Sequence, residues 1–247
     1  MTTSGSYDFA PGLGDLVLYS YNIIGVRSTS ILQEHMTNAR MATNMMLATW
    51  ANMGVNLWKV DLVQIPLVTG QATYAVDPST ITILDAYVTV DNGIAPPIDR
   101  IILPISRSEY ASYPNKTQQG ATTTYWFDRL NANSDMISPG SLQTPQIVGP
   151  QVTLYQVPDG TFQYLKFYRA VQIQTSNFTN GQQTDIPYLF LEAFADGLAY
   201  RLAKIWKPEM AQALKAVADE TYRTAASKNV ETGNTYITPQ TYSYWRV

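Results

Sequence analysis

The chain has 247 residues, 45% of them hydrophobic and none of them cysteine, and 16 Lys+Arg against 19 Asp+Glu leave a net charge of −3. This is enough apolar material to fill one large core or two small ones, while the missing cysteines exclude disulfides, thiolate chemistry and cysteine metal sites. The slightly acidic balance gives no whole-chain electrostatic case for binding free nucleic acid and leaves only a local basic patch open.

Charged residues are 14% of the chain, against roughly 25% in ordinary soluble domains. Thr, Gln, Asn, Ser and Tyr fill the polar quota, so much of the surface must be neutral. The opening MTTSGSYDFAPGLGD has neither the basic nor the apolar segment of a signal peptide, and no apolar run approaches the ~20 residues that span a bilayer. No membrane anchor is expected. The glycosylation sequons at Asn115 and Asn177 would matter only in a secretory pathway.

In chain order, GDLVLYSYNIIGV (14–26) carries Leu16, Tyr19 or Ser20, Ile23 and Ile24 at helical spacing before Gly25. A second helix is expected from Thr29 or Ser30 to Gly54. Its stripe Leu32, Met36, Ala39, Met46, Trp50 and Met53 is interrupted only by Thr43. From Leu57 onward LWKVDLVQIPL and ITILDAYVTV are β-branched and aromatic, and Gly70, Asp77-Pro78, Asn92-Gly93, Asp159-Gly160 and Asn180-Gly181 punctuate the region as turns. VTLYQVPDGTFQYLKFYRAVQI suggests a hairpin around Pro-Asp-Gly. PISRSEYASYPN (104–115) suggests a short helix, and 128–150 suggests loop with one strand at most.

A third helix is expected after Asp185 as N-cap and Pro187 in the first turn. Its seam is Leu191, Phe194, Leu198, Leu202 and Ile205, with Ala193 and Gly197 leaving a small flank. Pro208 separates it from a fourth, about 209–229, with Met210, Leu214, Val217, Ala218, Tyr222 and Ala225 on one side. The fold class that follows is α+β. The helices of 1–56 and 184–229 form a helical bundle, an antiparallel β region (57–183), a small sandwich or barrel, is inserted between them, and 230–247 form an extended C-terminal arm.

Few residues offer chemistry. A single His35, beside the apolar stripe, excludes a multi-histidine metal site within one chain, and a structural role is the better reading. Asp77, Asp91 and Asp159 fall in turns, and Glu209, Asp219 and Glu220 on a helix surface, which argues against a catalytic carboxylate pair. Gly12-Leu13-Gly14 follows no strand and leads to no Lys-Ser/Thr, so it suits a flexible lead-in better than a nucleotide loop. Arg201, Lys204 and Lys207 recur every third residue, either as a solvated helix end or facing phosphate. The tail carries Tyr236, Tyr242, Tyr244, Trp245 and Arg246, too aromatic for a merely solvated segment. It either docks on a partner or folds back on its own domain.

Three stretches together resemble the head-to-tail adaptor (head-completion or connector) proteins of tailed, particularly short-tailed, bacteriophages. They are GDLVLYSYNIIGV followed by a helix ending MLATWANMGVNLW (46–58), VQIPLVTGQATYAV (63–76), and DIPYLFLEAFADGLAYRLAKIWKP (185–208). Residues 100–180 match only in style. The resemblance implies a structural virion protein at the head-tail junction, made in the host bacterial cytoplasm, with no turnover chemistry and no cofactor. It implies a ring of identical copies, typically twelve, beneath the portal protein, extending the DNA channel and offering a platform to a tail nozzle or tail tube protein, with DNA only as passing cargo. In such a ring Tyr236, Tyr242, Tyr244, Trp245 and Arg246 would dock on the portal or a neighbour, and Arg201, Lys204 and Lys207 would line the channel or an interface. A carbohydrate-binding tail module on a β scaffold remains the alternative from another class, since it would also use Tyr, Trp, Asn and Asp.

Overall fold

The structure is a computed structural model that describes residues 5, 9–54, 57–91, 93, 96–129, 135–136, 146–147, 149–178 and 182–230. It is mixed α+β and separates into two compact units. One is made of Met1–Met46 and Ser176–Val247, the other of Leu47–Thr175.

The first unit is helical. Helix α1 (Leu13–Ile23) buries Leu13, Leu16, Val17, Ser20 and Tyr21. Of the two residues left open by the periodicity, Ser20 is therefore inside and Tyr19 outside. Helix α2 (Gln33–Asn52) follows a 3-10 turn at Ser28–Ser30 and carries the boundary between the units. Its stripe is buried from Ala39 to Trp50 but not at its ends, where Leu32 and Met53 are exposed. Thr43, the expected interruption, is fully buried and its hydroxyl has no hydrogen-bond partner among the described residues. Asn44 makes a two-way amide clamp, donating to the Ser176 carbonyl at 3.0 Å and accepting from the Ser176 N–H at 2.8 Å.

The helix expected to start at an Asp185 cap begins later. Pro187 leads into a 3-10 turn at Tyr188–Phe190, and α4 (Leu191–Trp206) starts there. Helix α4 is buried at Leu191, Ala193, Phe194, Ala195, Leu198, Ala199, Leu202 and Ala203, more than one face of an amphipathic helix requires. It packs against both α1 and α5 (Pro208–Ala226). The alanines permit this. Ser20 of α1 sits against the α4 backbone, its hydroxyl shared between Leu16 O at 2.8 Å and Ala195 O at 3.0 Å. Ile205, expected in the seam, is 52% exposed in the last turn. Helix α5 starts with Pro208 at its first position, where the missing N–H costs nothing; of its expected stripe Ala218 and Ala225 are buried, while Met210 and Val217 are exposed. Gly12, expected in a flexible lead-in, is instead bridged to Gln183, and Leu13 N–H donates to Gln182 O at 3.0 Å.

The second unit is built on one curled seven-stranded sheet. Its strands are β1 (Val60–Pro66), β2 (Thr73–Ala75), β3 (Thr80–Val90), β4 (Ile98–Pro104), β6 (Thr124–Asp128), β9 (Gln151–Tyr155) and β11 (Tyr164–Val171). Short pairs join β5 (Gln119–Gly120) to β10 (Val157–Pro158) and β7 (Asp135–Met136) to β8 (Gln146–Ile147), and helix α3 (Arg107–Ser112) follows β4. The order is β1-β11-β3-β4-β6-β9-β2. Tyr74 from one edge strand and Val63 and Ile65 from the other pack in the same cluster as Val88, Leu154, Leu165 and Phe167, so the sheet wraps one core, as its strand twist requires.

Two expectations change here. The sheet is not wholly antiparallel, because β4 and β6 run parallel. Residues 105–123, including α3, supply the crossover that a parallel pair needs. The Pro-Asp-Gly turn is present, with Gly160 at φ +95° and the Thr161 N–H donating to Asp159 Oδ1 at 2.9 Å, but it closes no hairpin. Strand β9 pairs with β6 and β2, and β11 with β1 and β3. Alternation identifies each as a strand; the partner is chosen by which edge is unfilled.

Candidate functional site

The candidate catalytic groups have structural occupations. His35 stacks on Trp206 with ring centroids 4.1 Å apart, and its Nδ1 accepts from the Leu32 N–H at 3.2 Å. The Tyr21 hydroxyl donates to the His35 carbonyl at 2.6 Å. Burial pushes that hydroxyl up to about 12, and Trp206 offsets only part of the rise. Asp77, Asp91 and Asp159 each accept from the backbone N–H two residues on, at 2.8 Å (Ser79), 3.1 Å (Gly93) and 2.9 Å (Thr161), which is the turn chemistry that Asp favours. The Ser79 hydroxyl also donates to Asp77, and these bonds, with Arg169 nearby, hold the Asp77 carboxyl below its usual range. Glu209, Asp219 and Glu220 are exposed on α5. Among the described residues, no group of three or more His, Asp or Glu is placed to hold a metal ion, and no helix is long and apolar enough to cross a membrane.

The three cations of α4 do not form one row. A step of three residues turns 300° on a helix of 3.6 residues per turn, so Arg201 and Lys204 differ by about 60°, while Lys207 lies past the last helical residue, Trp206, in a non-helical conformation. Arg201 is half-buried, and that burial lowers its pKa from the ordinary guanidinium value, with Tyr200 acting the other way. Lys204 is exposed, its Nζ 5.7 Å from the Tyr200 ring centre. Lys207 is exposed at the corner between α4 and α5, where it closes one helix and opens the next. Tyr236, Tyr242, Tyr244, Trp245 and Arg246 lie outside the described residues.

Surfaces that periodicity did not single out are the apolar ones. The outer face of the sheet divides in two. Over β6 and β9 it is covered by α3 and the residues after it: Tyr110 stacks on Trp126 at 5.5 Å and Tyr113 on Tyr155 at 4.2 Å. These are the aromatic rings a sugar platform would use, and they are occupied by one another. Over β1, β11, β3 and β4 the outer face is bare among the described residues of the sheet unit. There Leu62 lies opposite Tyr168, and Tyr87 opposite Ile101. Ile101 is 67% and Leu103 61% exposed. The signal was in the sequence. IIL in β4 is apolar without alternation, which means that both faces of the strand are greasy. Further exposed apolar side chains are Met41 and Met45 on α2, and the edge-on pair Phe9 and Tyr188.

The sequence comparison gives the family. The sequence model of the SU10 adaptor protein family matches residues 27–241, most of the chain. The protein belongs to this family of phage head-to-tail adaptors, a virion structural protein and not an enzyme. No curated protein sequence matches the chain significantly.

Proposed function

We propose that copies of this chain close into a ring, of twelve by resemblance, beneath the portal, extending the DNA channel and offering the tail its platform. The family match over 27–241 carries this reading. In it the helices α1, α2, α4 and α5 act as the bundle, a helical layer against the portal, and residues 230–247 are the docking arm. The mechanism is geometric. Head-to-tail contacts close when the rotation per copy divides a full turn. A neutral exterior suits this, since large permanent interfaces deplete Lys, Glu and Asp at their centres.

The arm is assigned to the portal or to an adjacent copy, with Trp245 and the tyrosines Tyr236, Tyr242 and Tyr244 as its anchors and Arg246 as its charged end. Aromatic anchors of this kind dominate interface energetics. Imaging the purified protein alone and mixed with the portal protein of its phage tests the reading. Rings capping the portal are expected, and a chain lacking 231–247 should lose them. Absence of both rings and binding would remove the adaptor reading.

A further inference from the structure

The bare half of the outer sheet face is a built surface. Leu62, Tyr168, Tyr87, Ile101 and Leu103 occupy four consecutive hydrogen-bonded strands in register. With strands about 4.8 Å apart, the three intervals between them span roughly 14 Å, and contiguous exposed apolar side chains of this kind mark interaction sites on soluble proteins. Its charge is acidic. Asp85 lies opposite Tyr168, is exposed, and has no ion-pair partner among the described residues. Lys166 is engaged, 3.7 Å from Asp99 and with its Nζ 5.9 Å from the Tyr87 ring centre. Asp85 and Asp99 against Lys166 leave one net negative charge.

The helical unit carries a surface of the opposite kind. At the α4–α5 corner Ile205 and Met210 are exposed apolar side chains, flanked by exposed Lys204 and Lys207 against a single acid, Glu209. The corner is apolar with one net positive charge.

Resting on the ring reading above, we propose that the bare half of the sheet receives the Lys204–Met210 corner of the next copy of this chain. Complementary charge selects this occupant. Sheet against sheet would bring Asp85 and Asp99 toward their own copies, and corner against corner would bring lysines together, and like-charge juxtaposition is strongly disfavoured at an interface. Sheet against corner pairs Asp85 with Lys204 or Lys207, and Ile101 and Leu103 with Ile205 and Met210. Because the two surfaces differ, the contact is head-to-tail, the type that propagates into a ring. It gives the cations of α4 a protein partner in place of passing DNA.

The chain has no cysteine of its own, so engineered thiols report cleanly. A Leu103→Cys chain and an Ile205→Cys chain carrying a size tag, mixed and oxidised, should yield the mixed dimer as the main product. A chain bearing both substitutions should yield a ladder of multimers. Same-variant dimers alone, or closure of the double variant within one chain, would overturn the assignment. In parallel, Lys204→Glu with Lys207→Glu should reduce ring formation on the portal at least tenfold, and adding Asp85→Lys should restore most of it. Rings that form undiminished with Ile101→Asp would sink the docking assignment and leave the ring standing. A wild-type chain that never assembles would end both.

Discussion

The two units solve the packing problem differently. In the helical unit the central helix is lined with alanine, at 193, 195, 199 and 203, so that neighbouring backbones come close enough for the Ser20 hydroxyl to bridge two helices. Among the described residues the sheet unit has no such small seam. It fills a curled interior with Phe167, Tyr125, Tyr74, Leu154 and Leu165, and ties its edge with Arg169, which holds Asp61 at 2.7 and 3.0 Å and donates to Thr80 Oγ1 at 2.9 Å. Close approach tolerates no added volume, and a large-side-chain core tolerates no lost volume. Each unit is therefore fragile to the opposite change.

Substitutions sharpen that contrast, beginning with the largest. Phe167→Ala removes a fully buried ring from the sheet core and should cost about 3–5 kcal/mol in denaturant titration. Ala199→Leu should cost the helical unit about 1–3 kcal/mol by overpacking, although the residue gained is an excellent helix former. If Ala199→Leu proved neutral, the close-approach account of α4 would be wrong. Arg169→Met keeps the stem of the side chain and removes its charge, leaving Asp61 and Asp77 without their fork. With half-exposed carboxylates on the other side, the loss should be about 1–2 kcal/mol. Ser20→Ala removes the bridge between α1 and α4 and should cost about 1 kcal/mol.

The smallest effect has the opposite sign. Burial, with Glu192 nearby, raises the Asp196 pKa, and Thr221 offsets part of that. A carboxyl raised on folding favours the folded state when protonated. Its contribution is fully present below the ordinary carboxylate value and is lost as pH rises through the raised one. Asp196→Asn should therefore stabilise the protein by a few tenths of a kcal/mol at pH 7. The gain should fade as thermal unfolding is repeated at pH values falling through the carboxylate range.

The helices were legible because a period of 3.6 reports a face directly. Leu198 and Leu202 are buried where the spacing puts them, as are Ala39 and Met46. Ends were not legible. Leu32, Met53 and Ile205 continue the pattern past the last neighbour available to cover them, and Asp185 offered a good cap that a 3-10 turn after Pro187 made unnecessary. Strands were legible, but their partners were not, because alternation fixes which side faces in and says nothing about register or neighbour. That is why Pro-Asp-Gly suggested a hairpin where β9 and β11 lie apart. The bare sheet face had a signal, the unbroken IIL of β4, but a short apolar run is equally the mark of a fully buried strand.

The bridge between Gly12 and Gln183 has a consequence for synthesis. The sheet unit, Leu47–Thr175, is complete once its last strand has left the ribosome. Helix α1 has no such fortune, since its apolar face at Leu16, Val17 and Tyr21 is made first and the α4 it packs against is made late. At about 5–20 residues per second, that face waits on the order of ten seconds. During most of that interval the sheet unit is itself still being made, so the nascent chain presents a greasy helix with no partner yet synthesised, and the early residues are the place where a chaperone, or another nascent copy, would first take hold.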